Sequence, residues 1–419
     1  MTCKTVEEFI NCVIVKKMQY NVLYLENKED YTKLFKYADE HANEDDGYLL
    51  ISAYSYKYGE GVTQDYKQAY ERFLTLHRKG NGNATYELAL MYQKGHYVAK
   101  DIETEIKLLT IAANLNYPPA LNDLGYVYEQ GIGVQPSLEK AFDLYKRASD
   151  LNHGVATCNL ALFYKMGKYV KQDHNIAFKL FEKGASLNER VSYSQLGWYY
   201  ENGYVVKKNL EKAFECYLTS AQLNHPNGMT NTGYFYEKGM GVAIDLDKAL
   251  YWYEKAANKG DIYGMRNTAI FYLDGKGCNV DKEKGMYWLT KAAEGGHPAA
   301  LVSLGYKYET GDLVPQSYQK AFECYEKAAK QGNSIALNNL GVFYENGWYV
   351  GKNMHIAIEY YKSAAAKNEA IAICNLGLCY KHGRGVGKDT TYALTLFRKA
   401  MELGYEKAKA YYEDTRNGR

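Results

Sequence analysis

The chain has 419 residues, of which 47% are apolar and 24% charged, enough for several compact folded domains. Its formal charge is +2, so no long-range positive field attracts phosphate backbones, and we expect no nucleic-acid partner. Glu7 and Glu8 precede a short apolar run, the reverse of a secretory signal, and no run approaches the ~18 apolar residues of a membrane span. These features predict a cytoplasmic protein without membrane insertion.

Residues 1–46 lack the pattern that fills the rest of the chain, and we expect them to form N-terminal capping helices. Leu34 and Tyr37 lie one 36-residue period before Tyr70 and Phe73, which predicts a degenerate helix over residues 29–43. Residues 1–25 form either a further capping helix or a separate interaction segment. The apolar residues available to such a helix are Val6, Phe9, Ile10 and Val13.

Ten repeats of 36 residues follow, over residues 47–407. Each contains a small residue, a tyrosine three positions later and a glycine after three more, the spacing of one helix face followed by its C-terminal stop. The glycines are Gly59, Gly95, Gly131, Gly167, Gly203, Gly239, Gly275, Gly311, Gly347 and Gly383. This pattern predicts the first helix of each repeat.

A second helix is bracketed by its own start and stop signals. Six residues after each glycine comes a potential N-cap, namely Asp65, Asp101, Ser137, Asp173, Asn209, Asp245, Asp281, Ser317, Asn353 and Asp389. Fifteen residues further on stands Gly or Asn, at positions 80, 116, 152, 188, 224, 260, 296, 332, 368 and 404. Apolar residues between these signals, such as Phe142, Tyr145 and Ala148, form one buried stripe. Each repeat is therefore predicted to be a helical hairpin, and residues 408–419 a C-terminal cap.

Residues 375–386, Asn-Leu-Gly-Leu-Cys-Tyr-Lys-His-Gly-Arg-Gly-Val, followed by Asp389, Ala393, Phe397, Ala400 and Gly404, resemble the Sel-one-like repeat family, relatives of tetratricopeptide repeats. The resemblance implies an all-α, right-handed α-solenoid of ten helix-turn-helix repeats with capping helices. It also implies a non-catalytic adaptor or scaffold for protein complexes. The alternatives left open are a self-assembling structural rod and a regulatory subunit of a signalling or protein-degradation complex.

The eight cysteines follow no pairing rule, which favours a reducing compartment. Cys374, Cys379 and His382 form the densest group of potential metal ligands, but the two thiols point in different directions and a fourth ligand is missing. His153, His174, His225 and His297 lie at helix ends or turns, away from any nucleophile motif. We therefore expect no catalytic residue, no metal and no cofactor, and no small-molecule ligand.

Candidate binding residues repeat in type on the first helices. The residue before the periodic leucine is polar in nine successive repeats, and the residue three positions later is apolar. By resemblance these two rows line a concave groove that binds a protein or peptide segment through amides and aromatic rings. Alternatively, the apolar row packs between helices and the amides only bridge them. The predicted groove residues are Asn159, Gln195, Trp198, Asn231, Tyr234, Asn267, Tyr306, Asn339 and Asn375.

Overall fold

The computed structural model describes residues 2–14, 24–25 and 29–418, and the regular structure within these ranges is almost entirely helical. The predicted all-α fold of helix-turn-helix repeats is confirmed. The only strands in the described ranges are the two-residue segments β1 (Thr2–Cys3) and β2 (Tyr24–Leu25), which pair in parallel. The chain divides into two compact units, residues 1–208 and 209–419. A single continuous solenoid over residues 47–407 remains a prediction.

The first unit contains α1 Val6–Ile14, α2 Asp30–Glu40, α3 Asp46–Tyr58, α4 Tyr66–Arg78, α5 Gly82–Lys94, α6 Ile102–Asn114, α7 Pro118–Gln130, α8 Leu138–Asp150, α9 Gly154–Met166, α10 His174–Ser186 and α11 Arg190–Asn202. The second contains α12 Leu210–Gln222, α13 Pro226–Lys238, α14 Leu246–Asn258, α15 Ile262–Asp274, α16 Lys282–Glu294, α17 Pro298–Thr310, α18 Tyr318–Lys330, α19 Ser334–Asn346, α20 Met354–Ala365, α21 Ala370–His382, α22 Thr390–Glu402 and α23 Lys407–Arg416. Odd-numbered helices from α3 to α21 are the first helices of the repeats, and even-numbered helices from α4 to α22 are the second helices.

The start and stop signals in the sequence fix the helix ends. All ten predicted N-cap side chains accept a hydrogen bond from an amide in the first turn of their helix. All ten glycines of the 36-residue period end a first helix in the left-handed conformation, for example Gly59 with φ 73°. The Gly or Asn after each second helix also has positive φ, from 55° at Asn116 to 88° at Gly404.

One turn position adopts the left-handed conformation even where it is not glycine. Two residues after the helix-ending glycine, Gly133 has φ 67°, and the equivalent Tyr97, Tyr169 and Tyr349 have φ 67°, 62° and 62°. This conformation is strained for a bulky residue. Each tyrosine ring packs on an aromatic ring of the preceding second helix, as Tyr169 does on Phe142 at 5.7 Å between ring centroids. Val205 and Leu313 adopt the same conformation at this position, with φ 67° and 66°, so the turn imposes it whether or not a ring is present.

The N-terminal segment of the first unit shares the hydrophobic core of the repeats that follow it. Phe9 in α1 and Leu34 in α2 are fully buried, and the same cluster of buried side chains extends to Phe163 in α9. Helices α1 and α2 thus pack on the first repeats, and the capping role of residues 1–46 and the choice between cap and interaction segment for residues 1–25 stay predictions. The side chain of Val13 and residues 15–23 lie outside the described residues.

In the second unit the C-terminal helix α23 packs on the last repeat. Ala408 is fully buried within the core cluster of α20 to α22, and Tyr412 packs against that cluster. The helix begins at Lys407, close to the predicted start of the cap, and it ends at Arg416. Its position against the last hairpin is consistent with a terminal cap.

Histidines occupy the N-cap of some first helices. The Nδ1 atoms of His153 and His297 accept hydrogen bonds from the amides of Ala156 and Ala300, each at 3.3 Å. Nδ1 can accept only when the ring is neutral, and burial lowers the pKa of both side chains. Because the pKa in the folded protein lies below that of the unfolded chain, the stability from these caps is complete above the unfolded value. It is lost as the pH falls through the folded value.

The His297→Asn variant is therefore expected to lose less stability than the wild-type protein between about pH 7.5 and about pH 5, by roughly 1 kcal/mol. Asparagine suits the position because Asn333 caps the equivalent place in α19 by accepting from the amide of Ala336 at 2.9 Å. Urea unfolding at both pH values measures the difference. Equal losses in the two proteins would show that the imidazole cap does not titrate in this range.

Candidate functional site

The predicted groove residues lie in two rows along the first helices, which we call the first-helix face of each unit. In the first unit, the polar row is Glu87, Asp123, Asn159 and Gln195, and the apolar row is Leu90, Tyr126, Leu162 and Trp198. In the second, the polar row is Asn231, Asn267, Ser303, Asn339 and Asn375, and the apolar row is Tyr234, Ile270, Tyr306, Val342 and Leu378.

The tyrosines of the apolar rows are open to solvent. Tyr126 in the first unit is 51% exposed, and Tyr234 and Tyr306 in the second unit are 40% and 57% exposed. Trp198 and the aliphatic members of both rows are half-buried. The alternative in which this row serves only to pack successive helices therefore fits the aliphatic residues but does not account for the tyrosines.

Part of the polar row bridges neighbouring first helices. The Nδ2 of Asn159 in α9 donates to Oδ1 of Asn122 in α7 at 3.0 Å, and Asn375 in α21 donates to Asn338 in α19 at 2.9 Å. Both pairs are separated by 37 residues, as are Tyr86 and Asp123, whose hydroxyl and carboxylate are 2.7 Å apart. Asn159 and Asn375 therefore bridge neighbouring first helices, and their contact with a partner stays a prediction.

Other members of the row bond within their own helix. Asn231 donates to Oδ1 of Asn227 at 3.1 Å, and Asn267 accepts from the guanidinium of Arg266 at 3.3 Å. Asn339 accepts from the amide of Asn338 at 3.2 Å. All three row members are half-buried. A primary amide has two donor hydrogens and an acceptor oxygen, so these side chains retain capacity for an external hydrogen bond.

A buried ion pair lies at the start of the first-helix face of the first unit. The ammonium of Lys57 contacts the carboxylate of Glu87, and their side chains are only 8% and 4% exposed. The Tyr54 hydroxyl donates to the same carboxylate at 2.9 Å. The Lys57 ammonium also lies 4.9 Å from the ring centroid of Tyr58. The ion pair is thus buried, and its charges interact with groups from two successive first helices, α3 and α5.

Four repeats share a second polar contact between their two helices. In the first unit, the hydroxyl of Tyr145 in the second helix donates to Glu129 at the end of the first helix at 2.9 Å. In the second unit Tyr253, Tyr325 and Tyr361 donate in the same way to Glu237, Glu309 and Glu345, at 2.8, 2.7 and 2.6 Å. Burial is the largest cause that raises the pKa of each of these tyrosines, so they remain neutral donors.

The ring of each such tyrosine lies on a glycine of the first helix. A Cβ on Gly125 would come within 2.8 Å of the Tyr145 ring, and one on Gly341 within 2.5 Å of the Tyr361 ring. Where the small residue is Ala161, the equivalent second-helix residue is Phe181, which has no hydroxyl. The small residues predicted to allow close helix approach do so, and glycine lies under the rings of these tyrosines and also under Phe397, which packs on Gly377.

Lys165 lies between the two rows of the first unit. Its Nζ donates to Oε1 of Gln195 at 2.6 Å and lies 3.8 Å from the ring centroid of Trp198. Tyr204, 51% exposed, stacks on Trp198 with 5.1 Å between ring centroids. His174 stacks on Tyr204 in turn, at 5.8 Å. The structure thus brings together Gln195 and Trp198, both predicted, with a lysine that the sequence reasoning missed.

A signal for Lys165 exists in the sequence. Lysine stands there at a position that is glutamate in five other repeats, at 129, 201, 237, 309 and 345. The change from a negative to a positive charge marks a departure from the repeat. The periodic pattern alone does not show that Gln195 and Trp198 lie beside Lys165.

The cysteines are the candidates for a metal site or a nucleophile. All eight cysteines are free thiols. Cys374 and Cys379 are buried, and burial raises their pKa to about 12 and about 11, which makes them poor nucleophiles. Within residues 2–14, 24–25 and 29–418, no three potential ligands of the His, Cys, Asp or Glu type come together. In the same part of the chain, no helix combines the length and apolarity needed to cross a bilayer.

The sequence profile of the Sel1 repeat matches ten consecutive segments, which together cover most of the chain between residues 47 and 405. The chain belongs to the Sel1 repeat family. The matched segments are 47–71, 82–117, 118–153, 154–189, 191–225, 226–261, 262–297, 298–333, 334–369 and 370–405. They coincide with the predicted repeats, so the resemblance drawn from residues 375–404 is confirmed.

Solved Sel1 repeat structures share the fold. A protective antigen of uropathogenic Escherichia coli with this fold is 26% identical, with a TM-score of 0.67 over 90% of this chain and 81% of that protein. A Sel1 repeat protein of Oxalobacter formigenes is also 26% identical, with a TM-score of 0.51 over 72% of this chain and 87% of that protein. Comparison with functionally curated proteins gave no match.

Proposed function

We propose that this Sel1 repeat protein is a non-catalytic cytoplasmic scaffold that binds a segment of another protein along its first-helix face. The observation that carries the proposal is the set of exposed tyrosines in the apolar rows, Tyr126 in the first unit and Tyr234 and Tyr306 in the second. In the second unit the half-buried amides of Asn231 and Asn267 belong to the polar row of the same face.

Exposed tyrosines are suited to protein recognition. A tyrosine ring offers a large rigid area at a low cost in side-chain entropy, and its hydroxyl can still form a hydrogen bond when buried. Neighbouring amides can pair with the backbone of an extended segment, while the rings bury its side chains. The residues of the second unit that fit this role are Asn231, Tyr234, Asn267, Tyr306, Asn339 and Asn375.

Other classes of ligand have less support. A formal charge of +2 and carboxylates interspersed with the lysines offer little to a phosphate backbone. A cavity of about 690 Å³ in the second unit is lined by Met286 and Tyr287 of the second helix α16 and by Leu313, away from the first-helix face. The same cavity is also lined by Lys282, Glu283, Lys291 and Glu294, whereas the first-helix face carries the exposed tyrosines, and a protein segment is the partner we propose for that face.

Peptides selected from a random displayed library on the wild-type protein are expected to lose at least tenfold in affinity for the Tyr234→Ser/Tyr306→Ser variant, because the largest apolar contacts of the face are removed. The matched control is Tyr251→Ser/Tyr287→Ser, since those rings are 49% and 55% exposed but lie on second helices. Fluorescence anisotropy measures the affinities, and thermal melting checks that both variants fold alike.

Selected peptides that bind both double variants equally would place the binding surface elsewhere. The structural alternative, a self-assembling rod, makes a different prediction, because its molecular mass grows with protein concentration. Light scattering of the wild-type protein distinguishes them: a constant monomer mass supports the scaffold, and concentration-dependent growth supports assembly.

A further inference from the structure

The last turn of the first helix has one position that is acidic in some repeats and basic in others. Where it is Glu129 or Glu345, a second-helix tyrosine donates to it, as described above. Where it is lysine, at Lys57, Lys165 and Lys381, the residue 16 positions later is Phe73, Phe181 or Phe397, which has no hydroxyl. The three lysines therefore need partners from elsewhere.

Two of these lysines have carboxylate partners. Lys57 contacts Glu87, and the Nζ of Lys381 lies 3.7 Å from Asp414. Lys165 has none, because no carboxylate oxygen within the described part of the chain lies within ion-pair distance of it. The residue 30 positions after Lys57 is Glu87, and the residue 30 positions after Lys165 is Gln195. The neutral amide of Gln195 thus takes the position relative to Lys165 that the carboxylate of Glu87 takes relative to Lys57.

The surroundings of Lys165 make its charge costly without a counter-ion. Burial lowers the pKa of this lysine, and the one ionisable neighbour that opposes this effect is the buried thiol of Cys158. The ring of Trp198 and the amide of Gln195 solvate the ammonium only in part. An external carboxylate would therefore stabilise the charged form, as Glu87 does for Lys57.

We propose that Lys165, Gln195 and Trp198 form the point on the first unit that recognises an aspartate or glutamate side chain of the bound protein segment. This inference rests on the proposed function of the first-helix face. The ammonium of Lys165 pairs with one carboxylate oxygen, and the Gln195 amide, whose oxygen already accepts from Lys165, donates to the other. An apolar side chain next to the acidic residue packs on the exposed ring of Tyr204, which continues the surface of Trp198.

A carboxylate fits this point better than a nucleic-acid phosphate. Lys168, the nearest lysine along the chain, is already paired with Glu129 at 2.9 Å. A phosphate backbone is held by a series of cations along its path, whereas a single unpaired lysine beside aromatic rings suits one acidic side chain.

The test uses an array of peptides selected on the wild-type protein, each synthesised in an acidic form and in a form with every Asp and Glu replaced by Asn and Gln. We expect the wild-type protein to bind the acidic forms at least tenfold more tightly. Gln195→Glu supplies the internal counter-ion that Lys57 has in Glu87, and it should abolish the preference while the protein stays folded. Lys165→Met should abolish it as well, and the control Lys107→Met, which removes an exposed charge of the first unit, should keep it.

The outcomes separate this inference from the function on which it rests. Equal binding of acidic and amide forms by the wild-type protein would overturn the inference and leave the scaffold function standing. A preference that survives in both Lys165→Met and Gln195→Glu would also overturn it. A fluorescent single-stranded oligonucleotide that binds with Lys165-dependent affinity, while the acidic peptides do not, would show that the ligand is phosphate. If no peptide binds the wild-type protein, the proposed function itself fails.

Discussion

The Lys57→Met variant is expected to lose at least about 3 kcal/mol of unfolding free energy, because it leaves the carboxylate of Glu87 buried without its counter-ion. Methionine matches the lysine side chain as far as Cε and lacks only the ammonium group, so the loss reports mainly the missing charge. The hydroxyl of Tyr54 remains as a donor to Glu87, but a single neutral donor compensates only part of a buried charge. Urea unfolding of the wild-type and variant proteins measures the difference.

The double variant Lys57→Met/Glu87→Gln provides the control. With both charges removed, the amide introduced in place of Glu87 would still accept from the Tyr54 hydroxyl, and we expect most of the lost stability to return. Lys107→Met, which breaks an ion pair that is 66% and 78% exposed, should change stability little. A Lys57→Met variant as stable as the wild-type protein would mean that water reaches Glu87 and that the pair is not enclosed.

Gly341→Ala is expected to destabilise the second unit by about 2 kcal/mol, although alanine favours a helix by about 1 kcal/mol over glycine. The new methyl group would lie 2.5 Å from the Tyr361 ring, and moving the ring aside would break the 2.6 Å hydrogen bond from its hydroxyl to Glu345. Gly351→Ala is the control, since a Cβ there meets no atom within 4 Å.

Removing the Tyr361 hydroxyl should rescue the Gly341→Ala variant. The double variant Gly341→Ala/Tyr361→Phe reproduces the natural pair Ala161 and Phe181 of another repeat, in which the ring is not tied to a glutamate. Thermal melting of the single and double variants gives the coupling. If the double variant is as unstable as Gly341→Ala, or if the losses of the two single substitutions simply add, the hydrogen bond of the hydroxyl does not hold the ring against the glycine.

The repeat architecture could be predicted from the sequence because its signals are local. Asp65 and Gly59 act on helices within a few residues of themselves, and the period repeats each signal ten times. Burial of Phe142, Tyr145 and Ala148 follows from their helical spacing for the same reason. Tyr169 shows the limit of such reasoning, since nothing in its residue type predicts a left-handed conformation or its ring contact with Phe142 in the preceding second helix.

The candidate site could be predicted only in outline. The spacing placed Asn159 and Asn375 on one face of their helices, but their hydrogen bonds reach Asn122 and Asn338 in neighbouring repeats. The sequence did not single out Lys165. Its distinguishing feature is that it has Gln195 and Trp198 as neighbours instead of a carboxylate, and packing between repeats decides which side chains are neighbours. The distances between repeats decide whether an amide faces a partner or a neighbouring helix. The 36-residue period gives no information about those distances.

The most direct test of the account is the affinity of a selected peptide for the Tyr234→Ser/Tyr306→Ser variant, divided by its affinity for the Tyr251→Ser/Tyr287→Ser variant. Both variants remove two exposed rings from the second unit, and they differ only in which helices lose them. Recognition by the first-helix face predicts a ratio of about one tenth or less. A ratio near or above one would contradict it.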